Sequence, residues 1–277
     1  MRLRRIRRSS NIEDRRRSGG KRGAGVGGIG LLVILAIGYF AGIDVTPFLQ
    51  GGLQNQSAPR EITAEDQKAA EFTSRVLATT EDVWSRVFPE QLGRDYNPPI
   101  LVLYSGVTQS PCGGASGATG PFYCPADGKA YLDKEFFATM AQQLGARGDF
   151  AAAYVVAHEV AHHIQNELGI LPEVYRMRQS VGQAEANALT VRLELQADCI
   201  SGVWARSVEG LLEPVDLKEA LNAARMIGDD HLQKRAGRVP QPHTFTHGTS
   251  DQRERWFAKG YESGNLAACD TFSTDRL

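Results

Sequence analysis

The sequence predicts an α+β protein that is mostly helical, contains a small β-hairpin or sheet, and is preceded by one transmembrane helix. Three observations support this prediction. Residues 23–43 carry no charged side chain. Several later segments repeat apolar residues at helical spacing, and short apolar runs bounded by proline and glycine lie between them. Residues 64–277 are numerous enough to form one domain with its own core.

Charge is distributed unevenly along the chain. The 31 Lys and Arg nearly balance the 32 Asp and Glu overall, but residues 1–22 contain ten basic side chains against Glu13 and Asp14. We expect residues 1–22 to be an unstructured basic tail that stays in the cytoplasm, because positive residues beside a membrane span are retained there. The rest of the chain has an acidic excess, which argues against nucleic-acid binding.

Residues 23–43 are long enough to cross a bilayer, since about 20 apolar residues span its hydrocarbon core as a helix. A cleaved signal peptide is the alternative, but there is no clear Ala-x-Ala cleavage site and the preceding basic region is long for a signal. We therefore expect a retained anchor that contacts the lipid bilayer, with the body exported. Gly38 and Gly42 could pair two such helices in a homodimer, although glycines are common in membrane helices in any case.

A polar linker over residues 44–63 leads into the domain. Thr63 is a suitable helix cap with acidic residues after it, and the helix is expected to end before Pro89. A short buried strand over residues 100–104 follows two prolines. The sequence therefore predicts one long scaffold helix followed by the first strand of a sheet.

A glycine-rich segment covers residues 112–120. It lacks the lysine and the following helix of a phosphate-binding loop, so we expect an irregular loop. Residues 122–124 and 129–132 flank a Pro-Ala-Asp-Gly turn and are expected to form a hairpin. The edge of this hairpin could pair with an extended peptide beside a cleft, or the hairpin could be purely structural. An amphipathic helix is predicted over residues 133–144.

The most informative motif is His-Glu-x-x-His, which lies inside an apolar, alanine-rich helical run. His158 and His162 are four residues apart and share one face of a helix. Two imidazoles placed in this way can bind one Zn²⁺, with Glu159 beside the metal to accept a proton from bound water. The alternative is that both histidines are packed or exposed without a metal. His163 faces about 100° away on the helix and is not expected to be a ligand.

A catalytic zinc site requires three protein ligands and one open position. A second helix, predicted over residues 181–208, contains Glu194 and Asp198, which also share a face. We expect Glu194 to complete the site and Asp198 to accept the free N–H of a ligand histidine. A solvated acidic stripe beside Arg192 is the alternative.

The remaining segments are shorter. Residues 173–180 could form a helix or a lid beside the cleft, and helices are predicted over residues 215–227 and 229–235. In the loop before the last helix, His247 is the candidate for stabilising a tetrahedral oxyanion, with His243 as the second choice. The alternative is that His247 caps the last helix or forms a structural hydrogen bond.

Three motifs together resemble those of the bacterial family of neutral zinc metallopeptidases. The resemblance covers most of the chain and includes Asn-Ile-Glu-Asp-Arg-Arg and the membrane span near the amino terminus. It implies a zincin-like, gluzincin-type domain that takes a peptide or protein substrate, with one zinc ion held by His158, His162 and Glu194 and with Glu159 as the base. The motifs are His-Glu-x-x-His-His-x-Gln, Arg-Leu-Glu-Leu-Gln-Ala-Asp-Cys and Phe-Thr-His-Gly-Thr-Ser-x-Gln-Arg-x-x-Trp-Phe.

The chain has four cysteines, and no two are spaced as Cys-x-x-Cys. An exported body favours disulfides. Cys112 and Cys124 flank the glycine-rich segment and would pair, which leaves Cys199 for Cys269. In a cytoplasmic body all four would be free thiols.

Together these observations predict a single-pass protein of the bacterial inner membrane, with its amino terminus cytoplasmic and its catalytic domain periplasmic or extracellular. It would hydrolyse peptide bonds with a zinc-activated water and Glu159 as general base. The alternative is a non-catalytic or latent zinc-binding scaffold tethered to the membrane. Closed structural zinc sites usually have four protein ligands, often cysteines. Two histidines and a glutamate with a base beside them therefore favour catalysis.

Overall fold

The fold is described here from a computed structural model. The predicted membrane span over residues 23–43, and with it the predicted homodimer contact, lies outside the described residues, as does most of the linker. Among the described helices, none has both the length and the apolarity that a bilayer crossing requires. Half of the helix predicted over residues 133–144 also lies outside them. The described residues are 1–17, 62–116, 120–136, 138, 140 and 148–277.

The domain is α+β and mostly helical, as predicted. Its described elements, in chain order, are β1 (Ile12–Asp14), α1 (Ala64–Leu92), β2 (Ile100–Tyr104), β3 (Val107–Ser110), β4 (Gly113–Ser116), β5 (Phe122–Cys124), β6 (Lys129–Asp133), α2 (Asp149–Glu167), α3 (Ile170–Gln179), α4 (Gln183–Ser207), α5 (Asp216–Met226), α6 (Asp229–Arg235) and α7 (Ser250–Ser263).

The main sheet has the order β1-β2-β6-β5. β1, β2 and β6 are parallel to one another, whereas β5 is antiparallel to β6, with Phe122 opposite Tyr131. The predicted hairpin is therefore confirmed. The prediction of an irregular loop over residues 112–120 is wrong for β4, which pairs with β3.

Helix α1 begins as predicted but ends later. Thr63 and Asp66 form a capping box, in which each side chain accepts the other residue's backbone N–H. The predicted end before Pro89 is wrong, because the helix continues through it to Leu92. A proline this close to the end of a helix removes only one hydrogen bond of the last turns. The helix stops at Gly93, whose φ of 64° is the left-handed conformation that glycine adopts without strain.

Helices α2, α4 and α7 form the centre of the domain. Phe150 of α2 stacks on Trp204 of α4, with ring centroids 5.6 Å apart. α4 and α7 meet at two glycines: a Cβ at Gly202 would overlap the carbonyl oxygen of Phe257, and a Cβ at Gly260 would overlap that of Cys199. The two helices therefore touch backbone to backbone.

The cysteine pairing favoured by the sequence is confirmed. Cys112 is bonded to Cys124, which fastens the β3–β4 hairpin to β5. Cys199 of α4 is bonded to Cys269, which lies in a short 3₁₀ helix after α7.

The amino-terminal segment differs most from its prediction. The expectation that residues 1–22 are unstructured is wrong for residues 1–17, which form β1 and place Leu3 in the main core at 5% exposure. A run of arginines is typical of a solvated tail, but here the arginines find acidic partners on α1. Arg7 contacts Glu81 and Arg8 contacts Glu71.

Candidate metal centre

Helices α2 and α4 bring together the three predicted ligands. His158 Nε2 lies 3.1 Å from Glu194 Oε2, and His162 Nε2 lies 3.4 Å from Glu194 Oε1. One potential ligand atom from each of the three side chains lies within 4.8 Å of the other two. A tetrahedral zinc ion with bonds of about 2.0–2.1 Å has ligand atoms roughly 3.3 Å apart. The spacing of these three side chains therefore fits a zinc ion.

Both ligand histidines have a partner for the nitrogen that faces away from Glu194. His158 Nδ1 lies 2.9 Å from Asp198 Oδ1, although the approach angle falls outside good hydrogen-bond geometry. His162 Nδ1 lies 2.8 Å from the side-chain oxygen of Gln165. With an N–H at each Nδ1, both Nε2 lone pairs are available to a metal. Asp198 thus lies where the sequence predicted.

Gln165 is a functional residue that our sequence analysis missed. Its side-chain oxygen faces His162, while its NH₂ group donates to the backbone carbonyl of Leu193 at 2.7 Å and to Gln196 at 3.1 Å. These contacts tie the orientation of His162 to α4. The motif could have indicated this contact, because Gln165 follows His162 by three residues and lies on the same side of the helix.

Glu159 is buried beside the ligands, with 8% of its surface exposed. Burial raises the pKa of its carboxyl to about 7, and the positive charge of His158 opposes that shift. Its Oε2 atom has no hydrogen-bond partner among the described residues. A buried, unpartnered carboxylate oxygen is costly unless something else satisfies it. A water held at a metal would do so, which supports the fit of zinc to this site.

Asp198 is the centre of a buried polar cluster. It is fully buried and accepts two hydrogen bonds from Arg253, from Nε to Oδ2 at 2.8 Å and from Nη2 to Oδ1 at 2.9 Å. The hydroxyl of Tyr154 donates to Oδ1 at 2.5 Å. Arg253 is itself 1% exposed. Helix α7 therefore fixes the carboxylate that faces His158, a role that the sequence analysis did not assign to Arg253 or Tyr154.

The charges of this cluster favour a cation between the ligands. Burial alone would raise the pKa of Glu194, but the neighbouring histidines, His162 foremost, hold it well below its usual range. Burial alone would lower the pKa of His158, but hydrogen bonds to Asp198 and Glu194 outweigh it and raise the pKa to about 10. The two carboxylates therefore attract positive charge, which can be a proton or a metal ion.

The charge of His247 acts on Glu194 and Glu159, and its side chain is 49% exposed. Its Nδ1 lies 3.3 Å from Asp229 Oδ1, while Asp229 Oδ2 accepts the backbone N–H groups of Thr246, His247 and Gly248. Burial would lower the pKa of His247, but the hydrogen bond to Asp229 outweighs it and raises the pKa. Asp229 is therefore a further site residue that the sequence analysis did not find.

The other two histidines considered from the sequence lie outside the ligand cluster. His163 is buried between the Tyr123 hydroxyl at 3.1 Å and the Asn97 carbonyl at 2.6 Å. His243 is exposed on the loop before α7, and its backbone carbonyl accepts a hydrogen bond from Asn187.

Comparison with known proteins identifies the family. Residues 1–272 match the family described as "Putative neutral zinc metallopeptidase". The chain belongs to this family. The resemblance seen in the sequence is thereby confirmed, and the His-His-Glu cluster is the part of the fold that could bind the zinc implied by the family.

Members of the family from distant bacteria are similar over much of their length. "Uncharacterized protein YpfJ" of Escherichia coli K12 is 48% identical over 279 residues, which cover 96% of each chain. "Uncharacterized protein Rv2575" of Mycobacterium tuberculosis is 42% identical over 219 residues, which cover 73% of this chain and 71% of that protein. No solved structure matches the chain.

Proposed function

We propose that this chain is a zinc-dependent peptidase with a zincin-like catalytic domain. The observation that carries the proposal is the buried, unpartnered carboxylate of Glu159 beside the His158–His162–Glu194 cluster. This is the arrangement that peptide hydrolysis by metal and general base requires. Family membership supports the same class of reaction.

In the proposed mechanism, His158, His162 and Glu194 hold the metal. When bound, zinc polarises the scissile carbonyl and lowers the pKa of water. Glu159 accepts a proton from the attacking water at its unpartnered Oε2 and delivers it to the nitrogen of the leaving amine. Its raised pKa, about 7, suits a group that must both take and give a proton near neutral pH.

We assign stabilisation of the oxyanion to His247. Its contact with Asp229 favours the protonated imidazolium, which is the form that can donate a hydrogen bond to a developing negative charge. The side chain of His247 is 49% exposed, which supports the proposal because a substrate could reach it. The alternative of a helix cap is disfavoured, since Thr249 caps α7.

Strand β5 is the proposed substrate-binding edge. It is the terminal strand of the main sheet, and the Tyr123 hydroxyl contacts His163 and Asn166 of α2. An extended peptide that paired with this edge would run beside the helix that carries the His-Glu-x-x-His motif.

The alternative function, a non-catalytic zinc-binding scaffold, requires a different set of ligands. A closed structural zinc site usually has a fourth protein ligand. Within the described part of the chain the cluster offers three ligands. A catalytic site with one open position therefore explains the cluster better.

Replacing Glu194 with alanine should weaken zinc binding by more than about 100-fold, because loss of an outer-shell partner alone costs about 10–100-fold. Competition with a chromophoric chelator measures this affinity. Glu185→Ala is the matched control, since Glu185 is exposed at the start of the same helix. Unchanged zinc affinity in Glu194→Ala would show that another residue is the third ligand.

Replacing His247 with alanine should lower kcat by about 10²–10³-fold, as removal of one oxyanion donor does in other hydrolases. Zinc content should not change. The control is His243→Ala, which removes an exposed histidine from the same loop. Equal losses in both variants, or loss of zinc from His247→Ala, would contradict the proposed role.

A further inference from the structure

The amino-terminal arm, residues 1–17, belongs to the same folded unit as the body, residues 62–277. The N–H of Leu101 in β2 donates to the Asn11 carbonyl at 2.8 Å, and the N–H of Arg15 donates to the Leu103 carbonyl at 2.7 Å. The arm thereby supplies the strand that pairs with one side of β2, while β6 pairs with the other. An unpaired side of β2 would leave backbone groups without partners.

The body also holds a buried carboxylate whose partners come from the arm. Glu81 of α1 is 5% exposed. It accepts hydrogen bonds from the Ser9 hydroxyl at 2.5 Å and the Asn11 amide at 2.8 Å, and Arg7 Nη2 lies 2.7 Å away. Within the described part of the chain, these are the hydrogen-bonding and ionic contacts of Glu81. A buried charge needs such partners, so this face of the body is built to receive the arm.

The carboxyl end of the arm lies at the start of α1. The side chain of Arg16 is 4% exposed, and its Nη1 donates to the carbonyl of Asp66 in the first turn of α1 at 2.7 Å. Asp14 forms an ion pair with the same guanidinium. The point where the chain leaves the arm and the point where it re-enters the body are therefore adjacent on one surface.

From these contacts we infer that the arm and the body lie on the same side of the membrane. A single crossing by residues 23–43 would put about 30 Å of hydrocarbon between them, and none of the contacts described above could form. The cytoplasmic placement of the arm was predicted from its positive charge. Four of the eight arginines in residues 1–17 pair with acidic groups in the fold, namely Arg7, Arg8, Arg15 and Arg16. The two disulfides favour an oxidising compartment for both parts.

Thiol accessibility in the full-length protein tests this inference, which does not depend on peptidase activity. All four native cysteines are paired, so an introduced cysteine is the reactive one, and the unmodified protein measures any labelling of native thiols, which would be free in a cytoplasmic body. Ser10→Cys reports on the arm, and Val239→Cys reports on the body, where Val239 is 81% exposed. Spheroplasts carrying each variant are treated with a membrane-impermeant maleimide, before and after detergent lysis.

We expect the two introduced cysteines to be labelled in the same pattern. Both are labelled before lysis if arm and body are exported, and both are labelled only after lysis if arm and body are cytoplasmic. Labelling of one position before lysis and of the other only after it would overturn the inference. Arg5→Cys, at a second exposed position of the arm, repeats the test should Ser10→Cys fail to accumulate. A known cytoplasmic protein and a known exported protein calibrate the two conditions.

Discussion

Conversion of Glu159 to glutamine is expected to lower peptide hydrolysis by at least about 10²–10⁴-fold, the usual contribution of a general base, while one zinc ion stays bound per chain. Glutamine has nearly the same shape but cannot accept the proton of the attacking water at neutral pH. The ligands are untouched, because Glu159 is adjacent to the cluster and not part of it. Cleavage of a complex peptide library by the zinc-loaded, full-length protein measures the effect.

Glu167→Gln is the matched control for this experiment, since it makes the same change at the end of the same helix. Equal turnover by wild type and Glu159→Gln would contradict the proposed mechanism. If neither cleaves any peptide although each binds one zinc ion, the latent or scaffold alternative is favoured. Cleavage by wild type and the control alone would establish the peptidase and reveal its preferred residues.

Replacement of Arg253 by methionine should destabilise the protein by about 3–5 kcal/mol, because it leaves a buried carboxylate without its cationic partner. Asp198 is fully buried and receives two of its hydrogen bonds from Arg253. Asp198 also faces a ligand histidine, so zinc affinity should fall by about 10–100-fold. Urea unfolding of the zinc-free protein and chelator competition measure the two effects separately.

Arg255→Met provides the comparison for Arg253, since Arg255 is exposed on the same helix. A surface change of this kind usually alters stability by less than about 0.5 kcal/mol. Loss of stability without loss of zinc affinity would show that Arg253 supports only the fold. An unchanged unfolding midpoint would contradict the buried ion pair itself.

Local spacing was enough to predict which side chains form the His-His-Glu cluster, whereas the residues that hold them in place mostly required the fold. His158 and His162 are one helical turn apart, and so are Glu194 and Asp198, so each pair shares a face whatever the tertiary structure. Arg253 reaches Asp198 across 55 positions of sequence. The residues next to Arg253 in the sequence do not indicate that Asp198 is its partner, although Arg253 lies in one of the three motifs that resemble the family.

The errors have related physical causes. The sequence predicts that Pro89 ends the helix, because proline breaks the interior of a helix. Near the last turn a proline disturbs fewer hydrogen bonds, so the helix continues through it. The glycine content of residues 113–116 is typical of a loop, but these residues form a strand because they pair with β3. The arginines of residues 1–17 resemble a solvated tail in the sequence because the acidic partners of Arg7 and Arg8, which are Glu81 and Glu71, lie more than 60 positions further along the chain. In the last two cases a contact with another segment outweighed the local preference.

The meeting of α4 and α7 at Gly202 and Gly260 has a consequence for the metal centre. Asp198 and Arg253 lie on these two helices, and no side chain separates the backbones at the crossing. An added methyl group at either glycine must push the helices apart and draw the guanidinium away from the carboxylate. Alanine at Gly202 or Gly260 should therefore weaken zinc binding, although neither glycine belongs to the metal-binding cluster.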